Sequence, residues 1–279
     1  MGTEHPKASR AGVPTTDRLP TGLALAIGSM PHQDSRLALD RILEACPEAP
    51  CWPQLPSLGF RENMVTQFSE GIPCIRVDWE RNKIFFARPE ACTEELTRFY
   101  EDYLQADQTG DLTPFALSES YAIGLHAFLE RLSGPPGASV AFVKGQITGP
   151  LTFGLSILDE EGLPALFDET LVDVVRKGIL MKALWQLECL APWGTERILF
   201  VDEPILAAFG SSAYINLTRE QAVAVDVHLG RAGQGLQARL DDAIDQVGDL
   251  QRRQGLAAER QPDRRRGVGL HLGDHRLVD

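Results

Sequence analysis

The sequence predicts an α/β protein of the TIM (β/α)8-barrel type, incomplete, with about four βα units recognisable and a β-hairpin inserted among them. Three observations predict it. Short apolar runs alternate with amphipathic stretches, the order that builds a parallel sheet covered by helices. Three of the runs, residues 23–32, 143–153 and 198–204, pass from apolar to glycine, hydroxyl or carboxylate residues at their C-terminal ends. Polar strand ends that converge on one edge are where such sheets bind ligands. Finally, of the 279 residues only 77 follow Asp202. Four further units of about 30 residues, scaled from a barrel of ~250, would need about 120.

Taken in order, residues 1–20 are polar and rich in Pro and Thr, and read as a disordered lead-in. A strand at 22–27 leads to Gly28 and Ser29. Asp34 then caps a helix running to Cys46, with Leu37, Leu39, Ile42 and Leu43 as its apolar face. A second strand at 49–55 ends in Trp52-Pro53-Gln54, and residues 61–68 carry a helical pattern that stops near Gly71. Residues 72–88 alternate differently: Ile75, Val77 and Trp79, then Ile84-Phe85-Phe86 across a polar turn, predict the hairpin. Helices at about 93–105 and 118–132 follow, and Ser133-Gly-Pro-Pro-Gly137 breaks the chain. A third strand at 138–147 opens onto Thr148-Gly149-Pro150. There Gly149 permits close backbone approach, Pro150 suits a first helical turn, and Thr148 and Thr152 can cap or bind an anion. Helices at about 151–158 and 168–190 precede a fourth strand at 197–201, which ends in Asp202-Glu203. The domain reading is a lead-in at 1–20, the barrel portion at 21–226 and an atypical polar, Arg-rich tail at 227–279. That tail reads as out of frame; a genuine C-terminus that closes the core by dimerisation, or a basic tail that binds an acidic partner, are the other readings. A doubly wound open sheet is the alternative fold, weakened because no Gly-x-Gly-x-x-Gly turn and no phosphate-loop motif occurs.

Composition narrows the function. A 43% hydrophobic chain of this length can build a substantial core. Its net charge of −12 and pI near 5.0 argue against nucleic acid or an anionic membrane as partner and favour a small-molecule ligand. Five cysteines, an odd number without Cys-x-x-Cys spacing, predict reduced thiols and a cytoplasmic location. No run approaches the ~20 apolar residues of a membrane span.

Four blocks carry a resemblance to a known family. Ile27-Gly-Ser-Met-Pro-His32, Glu62-Asn-Met-Val-Thr-Gln-Phe-Ser-Glu70, Lys144-Gly-Gln-Ile-Thr-Gly-Pro-Leu-Thr152 and Val201-Asp-Glu-Pro204 resemble, in that order, blocks of the cobalamin-independent methionine synthase and uroporphyrinogen decarboxylase superfamily. The likeness is to the small relatives of the methionine synthase barrel and covers roughly residues 22–225. It implies that Gly28 and Ser29 bind a substrate carboxylate and that Asp202, with Glu203 beside it, pairs with an ammonium. Gln54 stands where the family has an acid and can offer only a neutral acceptor. Zinc is the cofactor expected for the family, held by a His and Cys pair, an acid and a late Cys. This chain has no cysteine after Cys189, so no metal ligands are assigned and no cofactor is expected in this chain. His228, His271 and His275 do not form a ligand set.

The function expected from these readings is methyl transfer to a thiol acceptor such as homocysteine, impaired by the missing zinc ligands. Ser29, Gln54, Thr148 and Asp202 would orient the acceptor, and His32 would act as acid or base. The other partner would be a folate or a methyl-donor protein. Two alternatives remain open: a uroporphyrinogen-decarboxylase-like enzyme, for which the strand ends supply no arginine, and a non-catalytic barrel fragment that only binds a carboxylate. Bland uses compete at each residue. Asp202 and Glu203 could serve as helix caps and His32 as a solvated loop residue. Lys144 could form a structural ion pair with Asp202, and Trp52 with Phe60 could pack the core.

Overall fold

The computed structural model describes residues 22–133, 140, 142–193 and 196–208. The lead-in, the tail and the three late histidines lie outside the described residues. What is described is mixed α/β: helices α1 (Ser35–Ala45), α2 (Thr93–Thr109), α3 (Ile123–Leu132), α4 (Pro150–Ser156) and α5 (Glu169–Leu190), and strands β1 (Ile75–Asp78), β2 (Lys83–Phe86), β3 (Phe142–Thr148), β4 (Leu158–Asp159) and β5 (Glu196–Asp202).

The predicted hairpin is present. β1 and β2 pair antiparallel from Ile75 opposite Phe86 to Asp78 opposite Lys83. β4, which no pattern announced, extends this sheet parallel to β2. The second sheet is two-stranded and parallel, with β3 and β5 in register from Phe142 opposite Glu196 to Thr148 opposite Asp202.

Two expected strands are not regular strands. Residues 22–27 make no ladder, and Ile27 is 70% exposed. At their end Gly28 has a φ of +122°, outside the pleat. Residues 49–55 touch their neighbours only through isolated bridges, because Pro50 and Pro53 have no N–H with which to continue a ladder. Those bridges still fix an order. Gln54 N donates to Gly28 O, and Met30 N donates to Gln54 O; on the other side, Phe142 N donates to Glu48 O and Lys144 N to Pro50 O. Ser29 bridges Gln54 and Cys51 bridges Lys144, both in parallel sense. Four parallel segments therefore lie side by side in chain order: 28–30, 48–54, β3 and β5. Regular pairing spans only the last two, and the sheets are small and open.

Helix ends follow the expected chemistry. The Asp34 carboxylate accepts from Arg36 N and Leu37 N at the start of α1. The buried face of α1 is Ala38, Leu39 and Ile42, whereas Leu37, counted in the apolar face from sequence, is 60% exposed. α2 ends on Gly110 in the left-handed conformation (φ +76°). Residues 61–68 do not form a helix but two 3-10 turns, Phe60–Glu62 and Thr66–Ser69. Asn63 is extended between them (ψ 140°), and its Oδ1 accepts from Val65 N to start the second turn. α3 starts at Ile123, five residues later than expected, where the Glu62 carboxylate accepts the first helical N–H. α5 is buried around most of its circumference, Leu171, Val174, Met181, Lys182 and Gln186 included, as befits a helix packed on several sides.

Candidate functional site

β3 is buried along its whole length and has two chemically distinct faces. Val143, Gly145 and Ile147 face one way, and a Cβ on Gly145 would meet Gln186 and Leu190 of α5. Lys144, Gln146 and Thr148 face the other and carry a buried polar network. Lys144 Nζ donates to Ile27 O (2.8 Å) and Gln146 Oε1 (3.1 Å). Gln146 Nε2 donates to Trp52 O (2.8 Å) and Thr148 Oγ1 to Met64 O (2.6 Å). One strand thereby ties down the three segments that precede it, each through a carbonyl that no ladder satisfies. Gly28 fits against this network only without a side chain, since a Cβ there would lie 2.6 Å from Gln146 Nε2.

The register brings the C-terminal ends together. Thr148 is level with Asp202, and Ser29 with Gln54. Gln54 lies three residues beyond Cys51, and Thr148 four beyond Lys144, from a paired position. Gly28, Ser29, Gln54, Thr148 and Asp202 therefore share one edge of the parallel array, as the sequence predicts. Their environments differ. Ser29 is exposed and Gly28 buried. Thr148 is 1% exposed, with its hydroxyl committed to Met64 O. Gln54 is buried and held from behind: its Nε2 donates to Gln67 Oε1 (2.8 Å), and Gln67 Nε2 donates to Glu62 Oε2 (2.8 Å) and to Tyr121 O (2.9 Å). Burial pushes the Glu62 carboxyl above the usual range, against the hydrogen bonds that favour its charged form. This Gln54–Gln67–Glu62 chain escapes a helical reading of 61–68, because residues five apart do not share a helix face.

Asp202 is half-buried at the end of β5, and its carboxylate forms no hydrogen bond or ion pair among the described residues. Burial raises its pKa, and the charge of Lys144 opposes the shift. The ion pair between Lys144 and Asp202 does not form. Lys144 turns instead to the Ile27 carbonyl and the face of Phe200, 4.2 Å from the ring centroid. Burial lowers the Lys144 pKa, with Cys51 and then Asp202 opposing. Cys51, bridged to Lys144, has its thiol pushed up to about 11 by burial and stays protonated. None of the five cysteines is in a disulfide.

Glu203 has a structural task. Its Oε1 accepts from Leu151 N (2.9 Å) and its Oε2 from Thr152 N (2.6 Å), which caps α4 from 51 residues away. Gly149 admits it, since a Cβ there would lie 2.1 Å from Glu203 Oε1. The anion position at Gly149-Pro150-Leu151-Thr152, read from sequence as a place for a ligand, is thus filled by a carboxylate of the chain itself. His32 is half-buried, and its Nδ1 is buried with no hydrogen-bond partner among the described residues. Trp52 is fully buried, but Phe60 packs on Trp79 and not on Trp52.

The zinc that the resemblance implies does not fit the described residues. They hold no group of three or more His, Cys, Asp or Glu side chains placed to bind a metal, and Cys46 and Cys51 are buried. No helix among them is long and apolar enough to cross a membrane. In comparisons with protein families, curated proteins and solved structures, no match to the chain was found.

Proposed function

We propose that the chain is a methionine-synthase-like methyltransferase, impaired by its missing zinc ligands, whose strand-end edge orients an amino-acid thiol, such as homocysteine, to receive a methyl group. The observation that supports this most is Asp202. A half-buried carboxylate at a parallel strand end, with no hydrogen bond or ion pair among the described residues, suits an ammonium group, which would offset its desolvation. Along the same edge the exposed Ser29 hydroxyl takes the substrate carboxylate, and Gln54, fixed by Gln67, accepts or donates one neutral hydrogen bond. His32, with its unpartnered Nδ1, takes the proton-handling role. An incomplete barrel belongs to the same proposal, supported by four parallel segments that lie side by side in chain order, as in a barrel's first half. The chain's acceptor in this reading is a small amino acid, its methyl source a folate or a donor protein, and its compartment the cytoplasm.

A binding-only role is the second reading, favoured by the lack of a thiolate or imidazole cluster at the described edge. The two readings share the binding test and part at turnover. In calorimetric titration, homocysteine should bind at least about tenfold more tightly than 4-mercaptobutyrate, which lacks the amine, the scale of one charge-assisted hydrogen bond. Asp202→Asn should erase the difference. Because burial raises the Asp202 pKa, the preference should be present at neutral pH and fade on acidification through a value above that of an ordinary aspartate. Equal affinity for both ligands in the unmodified chain would remove Asp202 from the site.

A further inference from the structure

A cavity of about 300 Å³ lies between residues 58–62, the tip of the hairpin and the start of α3. Its walls include Phe60, Arg61, Glu62, Trp79 and Ile123. Trp79 leaves the end of β1 and stacks edge-on against Phe60, with ring centroids 6.4 Å apart, and against Tyr121, 6.2 Å apart. Over this aromatic platform lies the Arg61 guanidinium, 4.5 Å from the Trp79 ring centroid and 5.7 Å from that of Tyr121.

Arg61 is unusual for this chain. Acidic residues outnumber lysine and arginine by 39 to 27, yet Arg61 makes no ion pair and donates no hydrogen bond among the described residues. Aromatic faces hold it where a carboxylate would be expected. A guanidinium stacked by its face keeps its N–H edge clear, and that edge matches a carboxylate in two-point geometry. Two acids line the cavity, and neither forms an ion pair with Arg61: Glu119 is exposed. Glu62 is turned inward, its two oxygens bonded to Ile123 N and Gln67 Nε2, and burial shifts it toward the neutral form. The rest of the wall sets Leu58, Phe60, Trp79 and Ile123 against the polar Asn82, Glu119 and Ser120, and its aromatic side favours a flat apolar body over a small hydrated ion.

We propose that this cavity binds an organic carboxylate with a flat, apolar body, its charge held by the edge of Arg61 and its ring laid against Trp79 and Phe60. The site is separate from the Asp202 edge and does not depend on the function proposed above. Through Glu62 it also touches the Gln67 amide that positions Gln54.

The test is calorimetric titration of the full-length chain with three probes: 2-naphthoate, acetate, and (2-naphthylmethyl)trimethylammonium, which keeps the ring and inverts the charge. 2-Naphthoate should bind most tightly of the three. Arg61→Gln, an exposed position where the fold is not at stake, should weaken it about tenfold or more, as expected for loss of one charge-assisted contact. Trp79→Leu should weaken it as well, with Trp79→Phe retaining most of the affinity. Tighter binding of the ammonium probe would make the aromatic cluster a cation cage that Arg61 fills, and would overturn the proposal. No detectable naphthoate binding at millimolar concentration, or an unchanged affinity in Arg61→Gln, would overturn it equally.

Discussion

At the scale of single residues, two positions show how a sequence feature acquires its meaning from its neighbours. Gly28 looks interchangeable within Ile27-Gly28-Ser29, but its φ of +122° is strained for any L side chain, and a Cβ would overlap the Gln146 amide. Gly28→Ala should therefore destabilise the chain by more than about 1 kcal/mol, the cost of a residue held in a disfavoured backbone region, measured as a lower denaturant midpoint. An unchanged midpoint would mean that Gln146 does not rest against this turn. Lys144 makes the complementary point. A lysine inside a strand suggests an ion pair, and the structure gives it a carbonyl, an amide and a ring instead. The Asp202 carboxylate is thereby left without a hydrogen bond or ion pair among the described residues.

Among elements, α4 is the most informative. It has seven residues, too few to be stable alone, and its Pro150 start was legible from the sequence. Its anchor was not: the Glu203 carboxylate joins the N-terminus of α4 to the end of β5. Glu203→Ala should cost about 1 kcal/mol, the usual worth of a helix N-terminal acceptor. It should also raise amide exchange at Leu151 and Thr152 before the rest of the chain, by hydrogen-exchange mass spectrometry or NMR. Exchange that rises uniformly, or not at all, would show that α4 does not depend on this contact. The hairpin was legible because its apolar positions alternate around a polar turn. Residues 61–68 have helical spacing but do not form a helix, because a single extended residue, Asn63, separates two turns.

Over the whole molecule, the long buried helix α5 carries a test of how burial and charge combine. Lys182 is fully buried, with only a long hydrogen bond (3.5 Å) from Nζ to Phe115 O among the described residues, and burial lowers its pKa to about 8 against the charge of Glu70. The folded chain thus binds fewer protons there than the unfolded chain between about pH 8 and the ordinary lysine value. Stability from this group rises with pH across that window, by up to about 1.4 kcal/mol per pH unit, and its penalty is fully present below pH 8. Lys182→Met should stabilise the chain at neutral pH and flatten this rise, seen as the difference between the two chains' stability–pH curves. Parallel curves would show that Lys182 reaches water or a charged partner in the folded chain.

The sequence by itself determined the local facts: the α/β alternation, the Asp34 cap, the hairpin, the boundaries of α2 and α5 to within a few residues, and the polar residues at the ends of the parallel segments. Each follows from periodicity or from a side chain acting within a few positions of itself. Tertiary structure decided which of those polar groups are already spent. Thr148 is bound to Met64, Glu203 to α4 and Gln54 to Gln67, whereas Asp202 and Arg61 have no such partner among the described residues. It also decided that prolines at 50 and 53 and the turn at Gly28 reduce two expected strands to single bridges. Those outcomes depend on hydrogen bonds between residues that are often 50 or more positions apart. No local pattern records such a partner, because a buried polar group takes whichever donor or acceptor the packing brings within reach.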